Sequence, residues 1–467
     1  MKKFTYNKNS LPAPICDKKF LTVYDHTWQI AFNNIDYVEK DNWKPILTCM
    51  PGVGITWQWD SCFLTFFTNY SNGTLNAFDN LDNLHRLRRE SDGYISMAYS
   101  IDTDLPAYGE RINPPIYAWA EWEHYLVCGD SSRFEKVLPA IEGLYHFIEN
   151  NRTRSCGLYY FEDTGSSGMD NSPRSGYHAK NLDGSDVCFV DLACQQSLSA
   201  LCMSKMFAVL GNVEKSDFYK KENERINALI NQYHYSEKTG FYYDFFARAR
   251  ADLRVKLINT KTAAAFWTLL CGAATGERTK NVVSHMMSPD EFYTHTPFAS
   301  LSKDDLNYDA TGGYWLGSAW HPTNFVAIQG LYKCGYKKEA REASVRFLEV
   351  MEKTGGIWEC YNPEENKPAL CENGSIVRPN FVGWGGLFPI TVLIENIIGL
   401  HFNAQDKSVT FDINDEKCGI ENMMFCGKSI SIVYEKGKIT ISTEMEFTLI
   451  VNDKKMKIGI GKHTVKL

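Results

Sequence analysis

Apolar residues recur at helical spacing over most of the chain, from about residue 24 to residue 400. Apolar positions at i, i+3, i+4 and i+7 are typical of amphipathic helices. Pro114 and Pro115 suit the first turn of a helix, and Gly335 suits the end of another. The pattern predicts twelve helices, near residues 24–36, 57–71, 73–89, 114–128, 132–150, 189–210, 213–233, 260–274, 277–287, 315–333, 336–353 and 385–399.

The links between these helices are of two kinds. Some are short, as between residues 210 and 213, and others are long and rich in Gly, Pro, Asp and aromatic residues, as at 155–188, 288–314 and 354–384. Long irregular segments are uncommon in a compact domain unless they carry function. Twelve helices with alternating links predict a mainly α fold, an (α/α)6 barrel or six-hairpin toroid. Its long loops would gather around a central pocket at one end.

The pattern changes to alternating apolar and polar residues after about residue 402. Such alternation is typical of strands, and turn signals such as the sequence EKG at 435–437 separate the segments. We therefore expect a catalytic domain at 1–401 and a small antiparallel β-domain, resembling a sandwich, at 402–467. None of the candidate chemistry lies in the second unit, so we expect it to have a structural role.

Composition and charge exclude several classes of partner. The formal net charge is −7 and no long basic run occurs, which argues against nucleic acid, where clustered Lys and Arg neutralise phosphates. No stretch approaches the roughly 20 apolar residues that a membrane span requires. The first residues lack the apolar segment of a signal peptide. The 14 cysteines are scattered without a CxxC pair, so we expect reduced thiols and a cytoplasmic protein.

Four segments concentrate polar and aromatic residues at loops or helix starts. They are 56–60 (TWQWD), 164–174 (TGSSGMDNSPR), 314–324 (YWLGSAWHPTN) and 356–363 (GIWECYNP), the last followed by 380–386 (NFVGWGG). Taken alone, each has a structural explanation: an acidic residue at a helix N-terminus, a Gly/Ser turn, a pair of core tryptophans, or a solvated glutamate. The 11 Trp, 25 Tyr and 27 Phe likewise suit either sugar-stacking surfaces or an aromatic core.

The four segments together fit one chemistry. Hydrolysis of a glycosidic bond needs one carboxyl group that protonates the leaving oxygen and another that activates water or attacks carbon. Asp170 and Glu359 are far apart in sequence, but both lie on long loops that a toroid would bring to the same end. This chemistry needs no metal or cofactor, and no HExxH, CxxC or GxGxxG motif indicates one.

The same segments resemble, in order, the motifs of glycoside hydrolase families 63 and 37. These families include processing α-glucosidases, mannosylglycerate and glucosylglycerate hydrolases, and trehalases. The resemblance covers roughly residues 20–400 and rests on residues 57–60, 113–119, 167–170, 314–320, 359–363 and 383–384. It implies an (α/α)6 barrel and an inverting, exo-acting mechanism.

The resemblance also implies roles for individual residues. Asp170 matches the family's general acid and Glu359 its general base, while Asp60 with Trp59 matches the pair that holds the terminal sugar. The other positions expected to contact the substrate or line its pocket are Trp57, Asn113, Arg174, Trp315, Trp320 and Trp384. Leu316 stands where the family commonly has Arg, so one sugar or anion contact is missing.

The implied function is hydrolysis of a small α-glucoside or α-mannoside. Two alternatives stay open. Another carbohydrate enzyme on the same ring, such as a phosphorylase, lyase or epimerase, would use a similar pocket, although an epimerase would need paired histidines there. A non-catalytic sugar-binding protein would have no reason to keep both an acid and a base.

Overall fold

The computed structural model describes residues 3–175, 184, 186–247 and 256–467. All twelve predicted helices are present, most with boundaries within three residues of those expected. They are α1 (Lys18–Asn33), α2 (Gln58–Thr68), α3 (Phe78–Arg86), α4 (Tyr117–Cys128), α5 (Ser132–Asn151), α6 (Val190–Val209), α7 (Val213–Tyr233), α8 (Trp267–Cys271), α9 (Glu277–Met286), α10 (His321–Lys333), α11 (Lys337–Thr354) and a π-helix (Leu387–Ile398). Helix α10 starts six residues later than predicted because residues 315–320 form an irregular wall of the pocket described below.

The strands are short except near the C-terminus. They are β1 (Ala13–Ile15), β2 (Ile35–Asp36), β3 (Ile46–Leu47), β4 (Ile55–Trp57), β5 (Ala98–Ser100), β6 (Val187–Cys188), β7 (Tyr235–Ser236), β8 (Phe241–Tyr242), β9 (Phe245–Phe246), β10 (Lys256–Leu257), β11 (Ala319–Trp320), β12 (Cys360–Tyr361), β13 (Leu400–Asn403), β14 (Ser408–Phe411), β15 (Lys417–Phe425), β16 (Lys428–Glu435), β17 (Lys438–Thr443), β18 (Phe447–Val451), β19 (Lys454–Ile458) and β20 (Gly461–Lys466).

Six helices form the interior of the molecule. Every residue of α2 is buried, whereas α7 buries only Tyr219, Ile226 and Ile230. A helix that is buried all round lies in a core, and one with a single apolar stripe lies at the surface. The inner helices contact one another in the order α2, α4, α6, α8, α10 and the π-helix, and the π-helix contacts α2 again. The inner helices therefore close a cycle of contacts.

The long links and the short links lie at opposite ends of the inner helices. Each inner helix follows a long link, such as residues 34–57 before α2 or 355–386 before the π-helix. The short links follow the inner helices, and Gly129, Gly211 and Gly335 in three of them adopt positive φ, which lets the chain turn sharply after a helix. The long loops therefore meet at the N-terminal ends of the inner helices.

The C-terminal strands form two sheets at the other end. Their orders are β1-β15-β16-β17-β20 and β13-β14-β18-β19. The backbone N–H groups of Ala404 and Cys426 donate to the carbonyls of Leu126 and Val127 in the last turn of α4, which anchors the sheets to that end.

Two features of these sheets differ from the antiparallel unit expected. Strand β14 runs parallel to β18, because the chain crosses through the other sheet before it returns beside β14. Strand β1, from the start of the chain, pairs with β15. The division into domains at residues 401 and 402 stays a prediction. Among the described residues, no helix has the length and apolar character of a membrane span.

Candidate active site

A cavity of about 1010 Å³ opens among the long loops. This volume is at the upper end of what binding sites for small molecules usually have. The cavity is lined by nine of the ten residues that the sequence predicted, namely Trp57, Trp59, Asp60, Asn113, Asp170, Trp315, Trp320, Glu359 and Trp384. Long loops far apart in sequence therefore do converge on one pocket.

Asp170 ends a tight loop whose turns depend on small residues. Ser166 donates its backbone N–H and its hydroxyl to Asp163 Oδ1, at 2.7 and 2.9 Å. Gly168 has φ of +79°, and a Cβ there would lie 3.2 Å from the Trp59 ring. The Asp170 side chain faces the open cavity. Enclosure by the pocket walls raises its pKa to about 6, and the charges of Glu359 and Asp163 add to this effect.

Glu359 is buried on the opposite loop and accepts two hydrogen bonds. The Tyr314 hydroxyl donates to Oε1 at 3.0 Å, and the Arg378 backbone N–H donates to Oε2 at 3.3 Å. The Glu359 carbonyl also accepts from Trp384 Nε1 at 3.2 Å, which fixes the backbone. Burial raises the pKa of Glu359, while both hydrogen bonds and the Arg378 charge oppose that rise.

Asp60 is the third carboxyl group of the pocket and lies in the first turn of α2. The buried Cys49 thiol donates to Asp60 Oδ1 at 3.1 Å. Burial raises the pKa of Asp60 to about 7, the Cys49 hydrogen bond lowers it, and the charges of Glu359 and Asp170 raise it further. A negative charge on one of the three carboxyl groups disfavours ionisation of the others. The three groups therefore titrate as a coupled set and do not all ionise together near neutral pH.

The surroundings favour different protonation states for Asp170 and Glu359. Glu359 has two donors aimed at its carboxylate, which favours the ionised form. No donor from the described residues contacts the Asp170 carboxyl group, and the charge of Glu359 disfavours its ionisation. The pocket therefore contains two carboxyl groups whose surroundings favour opposite protonation states.

Two asparagines join the loops that carry these groups. Asn113 accepts from the Trp59 N–H at 2.9 Å and donates to the Ser166 carbonyl at 3.0 Å, so it links α2 to the Asp170 loop. On the other side, Asn171 donates to the Gly313 carbonyl and accepts from the Trp315 N–H, both at 2.9 Å. Asn113 thus lines the pocket as predicted, but both ends of its amide already have protein partners.

Aromatic rings form one wall of the pocket. Trp315 and Trp320 stack with their centroids 4.0 Å apart and their planes 3° from parallel. Trp384 and Tyr314 each meet Trp320 edge-on, at 5.9 and 4.8 Å. Tyr314 has φ of +64°, a region that bulky residues rarely adopt, and strain of this kind clusters at functional sites.

Arg174 does not line the pocket. Its guanidinium is fully buried behind the Asp170 loop and binds two carboxylates, with distances of 2.6 and 2.8 Å to Asp191 and of 2.8 and 2.9 Å to Asp244. Arginine in such a fork matches carboxylate geometry closely and has few donors left for a ligand. Arg174 was predicted to contact the substrate, but it is not among the residues that line the cavity.

Several residues in the pocket or directly behind it were not predicted from the sequence. Tyr314 lies in a segment that the analysis singled out, and its role depended on a hydrogen bond that no sequence pattern reveals. Asn171 lies in the segment 164–174, which was singled out for Asp170, and its own contacts were not foreseen. Arg378 in the pocket and Cys49 behind it carry no sequence signal, because each acts on a residue brought close only by the fold. Within the described ranges, no three His, Cys, Asp or Glu side chains are grouped so as to hold a metal ion.

Comparison with known proteins identifies the class. The model of the mannosylglycerate hydrolase MGH1-like glycoside hydrolase domain matches residues 55–375, which include Asp60, Asp170 and Glu359. The fold and the pocket thus define a glycoside hydrolase. The chain belongs to the MGH1-like glycoside hydrolase family, which confirms the resemblance inferred from its motifs.

Individual proteins and a solved structure are also similar to this chain. An uncharacterized protein of Borreliella burgdorferi is 31% identical over 421 residues, which cover 86% of this chain and 85% of the relative. A mannosyl-oligosaccharide glucosidase of Saccharomyces cerevisiae is 21% identical over 68% of this chain, which spans only 39% of that protein. The GH63 mannosylglycerate hydrolase of Thermus thermophilus, solved with glucose, has the same fold, with a TM-score of 0.64 at 16% identity over 78% of this chain and 98% of that one.

Proposed function

We propose that this protein is an inverting, exo-acting α-glycosidase that hydrolyses a small α-glucoside or α-mannoside. The observation that carries the proposal is the contrast between two carboxyl groups that line the same pocket. Asp170 lacks a donor from the described residues, and Glu359 accepts two. Asp170 is then the general acid and Glu359 the general base. We also infer that the cyclic contacts of the inner helices are those of an (α/α)6 barrel, with the C-terminal sheets as a separate structural domain.

The reaction moves two protons in one displacement. Asp170 gives its proton to the glycosidic oxygen as the bond to the anomeric carbon breaks. A water molecule attacks that carbon from the opposite face, and Glu359 accepts the proton that this water loses. Asp60 and Trp59 hold the terminal sugar through its hydroxyl groups and its apolar face. The product leaves with inverted configuration, and solvent restores both carboxyl groups.

One alternative from the sequence, an epimerase, fits the pocket less well. An epimerase needs histidines beside its substrate, and no histidine is among the described residues that line this cavity. His321, in the segment that follows Trp315 and Trp320, is fully buried, and its Nε2 lies 3.1 Å from the Trp358 carbonyl. Burial lowers the pKa of His321 to about 3, so it stays neutral.

The stereochemistry of the first product tests the mechanism. An inverting enzyme leaves room for water, with carboxyl groups roughly 6.5–9.5 Å apart, whereas a retaining one brings them to about 5 Å. We expect NMR, recorded before mutarotation, to show a β-configured sugar released from an α-linked substrate. A first product with α configuration would rule out Glu359 as a water-activating base.

Two variants test the separate roles of the carboxyl groups. Asp170→Asn should nearly abolish hydrolysis of substrates with poor leaving groups but affect a glycosyl fluoride much less, because fluoride needs little protonation. Glu359→Gln should abolish turnover of both, since no side chain remains to activate water. Equal loss on both substrates in Asp170→Asn would contradict its assignment as the acid.

A further inference from the structure

Three exposed apolar side chains line the catalytic pocket. The large apolar residues that are exposed, among those the structure describes, are Val53, Leu105, Tyr108, Val213, Phe218, Leu306, Ile376, Ile460 and Leu467. Val53, Tyr108 and Ile376 are 46%, 42% and 60% exposed, and all three line the cavity that contains Asp170 and Glu359. We call these three residues the collar. Exposed apolar patches that border a groove commonly mark a binding site.

The loops that carry the collar are held by backbone hydrogen bonds. Val53 and Tyr108 lie on loops that extend from the paired strands β4 and β5, and the Ile101 N–H donates to the Gly54 carbonyl at 2.9 Å. Ile376 pairs with Leu370 in a narrow hairpin that the Cys371 N–H closes by donating to the Ser375 carbonyl, at 2.7 Å. The collar is therefore a defined surface that exists before any ligand arrives.

Two of the three charged side chains at the mouth already have protein partners. Arg111 pairs with Asp163 at 3.0 Å, and Glu372 accepts from Asn171 at 3.4 Å. Arg378 is exposed and has no carboxylate partner within the described parts of the chain. The mouth thus offers an apolar surface and one available cation.

We propose that the collar is the aglycone subsite and favours substrates whose leaving group has an apolar face, such as an alkyl or aryl group. The inference rests on the proposed hydrolase function. The collar is continuous with the cavity around the carboxyl groups, and one sugar ring fills only part of about 1010 Å³. The three exposed side chains of the collar, which line the same cavity as Asp170, are therefore available to a leaving group that extends from Asp170 toward solvent. Covering these side chains removes apolar surface from water, which stabilises the complex.

A pair of substrates with the same chemistry tests the collar directly. Methyl and octyl α-glycosides of the sugar that is hydrolysed have similarly poor leaving groups and differ only in apolar length. Each methylene that is fully removed from water strengthens binding about fourfold. We expect kcat/KM for the octyl glycoside, measured below its micelle-forming concentration, to exceed that for the methyl glycoside by roughly tenfold or more. A ratio near one would overturn the proposal.

Variants of the collar residues test whether the preference for the octyl glycoside arises at the collar. Tyr108→Ser and Ile376→Ser should each lower the octyl-to-methyl ratio of kcat/KM by about three- to tenfold, because less apolar surface is covered. Leu306→Ser is the matched control: Leu306 is 95% exposed and does not line the pocket, so the ratio should not change. An equal fall in all three variants would also overturn the proposal.

Binding measurements separate this inference from the hydrolase proposal. Calorimetry on the wild-type protein should show that the octyl glycoside binds more tightly than the methyl glycoside and that Ile376→Ser loses most of the difference. If this holds but neither glycoside is cleaved, the collar stands and the proposed hydrolysis fails.

A preference for a glycosylglycerate over the octyl glycoside would overturn the proposal and assign the subsite to Arg378 and an anion. Collar variants that alter only self-association, seen by light scattering, would overturn it in favour of a second copy of the chain.

Discussion

At the scale of single residues, Asp60 shows how one neighbour adjusts a carboxyl group. Its Oδ1 accepts from the buried Cys49 thiol, and its pKa of about 7 lies within the range where enzymes work. A thiol is a weak donor, so it favours the ionised form only modestly. Cys49 does not line the cavity and acts on a substrate only through Asp60, which makes it a positioning residue.

Replacement of Cys49 should shift the pH dependence of the reaction. In Cys49→Ala the carboxylate of Asp60 loses a donor, so its pKa rises above about 7. If ionised Asp60 holds the sugar, the acidic limb of the kcat/KM profile then moves to higher pH. Cys49→Ser retains a donor and should keep the limb at or below its wild-type position. Rate measurements across pH on all three proteins provide the check.

Asp60 itself supplies the control for that experiment. Asp60→Ala should lower kcat/KM about 10- to 200-fold through loss of a charged hydrogen bond to the substrate, with little unfolding. In this background, replacement of Cys49 should no longer move the acidic limb. An acidic limb that moves equally with and without Asp60 would show that Cys49 acts on another group. An unchanged kcat/KM in Asp60→Ala, with a large loss of thermal stability, would make Asp60 a helix-capping residue only.

At the scale of elements, Arg174 joins three segments behind the loop that carries Asp170. It lies in a short 3-10 turn, Asp191 in the first turn of α6, and Asp244 beside the short strand β9. Asp244 also accepts from the Val190 N–H at 2.8 Å, so this cluster caps α6 as well. The sequence motif predicted that Arg174 contacts the substrate, but the side of the loop that Arg174 occupies depends on where Asp191 and Asp244 lie.

Loss of Arg174 should therefore affect stability. Arg174→Met leaves two carboxyl groups buried without a countercharge, which costs about 3–5 kcal/mol of unfolding free energy. The matched control is Arg278→Met, which breaks an exposed pair with Glu237 and should cost less than about 1 kcal/mol. Urea unfolding of both variants provides the comparison. Equal midpoints, together with weaker substrate binding in Arg174→Met, would restore its assignment as a substrate contact.

At the scale of the whole molecule, the helices were easier to predict from sequence than the strands. The helices α7 and α9 coincide with their predicted ranges to within one residue, because long periodic segments have a strong signal. Strand β15 went unpredicted: its alternation is interrupted between Ile420 and Met423, where the pairing with β16 shifts register. Strand β1 has only three residues, one of which is a proline, so its own sequence does not indicate a strand. It forms a strand because it pairs with the distant β15.

The pairing of β1 with β15 should matter for the stability of the whole chain. Leu11 and Pro14 are buried beside the sheet, the Tyr24 hydroxyl donates to the Pro12 carbonyl at 2.8 Å, and Asn72 donates to the Ser10 carbonyl at 3.1 Å. A variant that begins at Cys16 should lose at least about 2 kcal/mol of unfolding free energy. Urea unfolding measures this loss. An unchanged midpoint would show that the pairing contributes little.

The same pairing sets an order of events during synthesis. Ala13 pairs with Glu421, so about 400 residues must be translated before the first strand meets its partner. At about 5–20 residues per second, this takes roughly 20 to 80 seconds on the ribosome. Individual helices, whose backbone hydrogen bonds are local, can form during that interval, whereas the sheet cannot. The nascent chain therefore exposes an unpaired strand β1 until β15 has been translated, and it is most open to chaperone binding in that period.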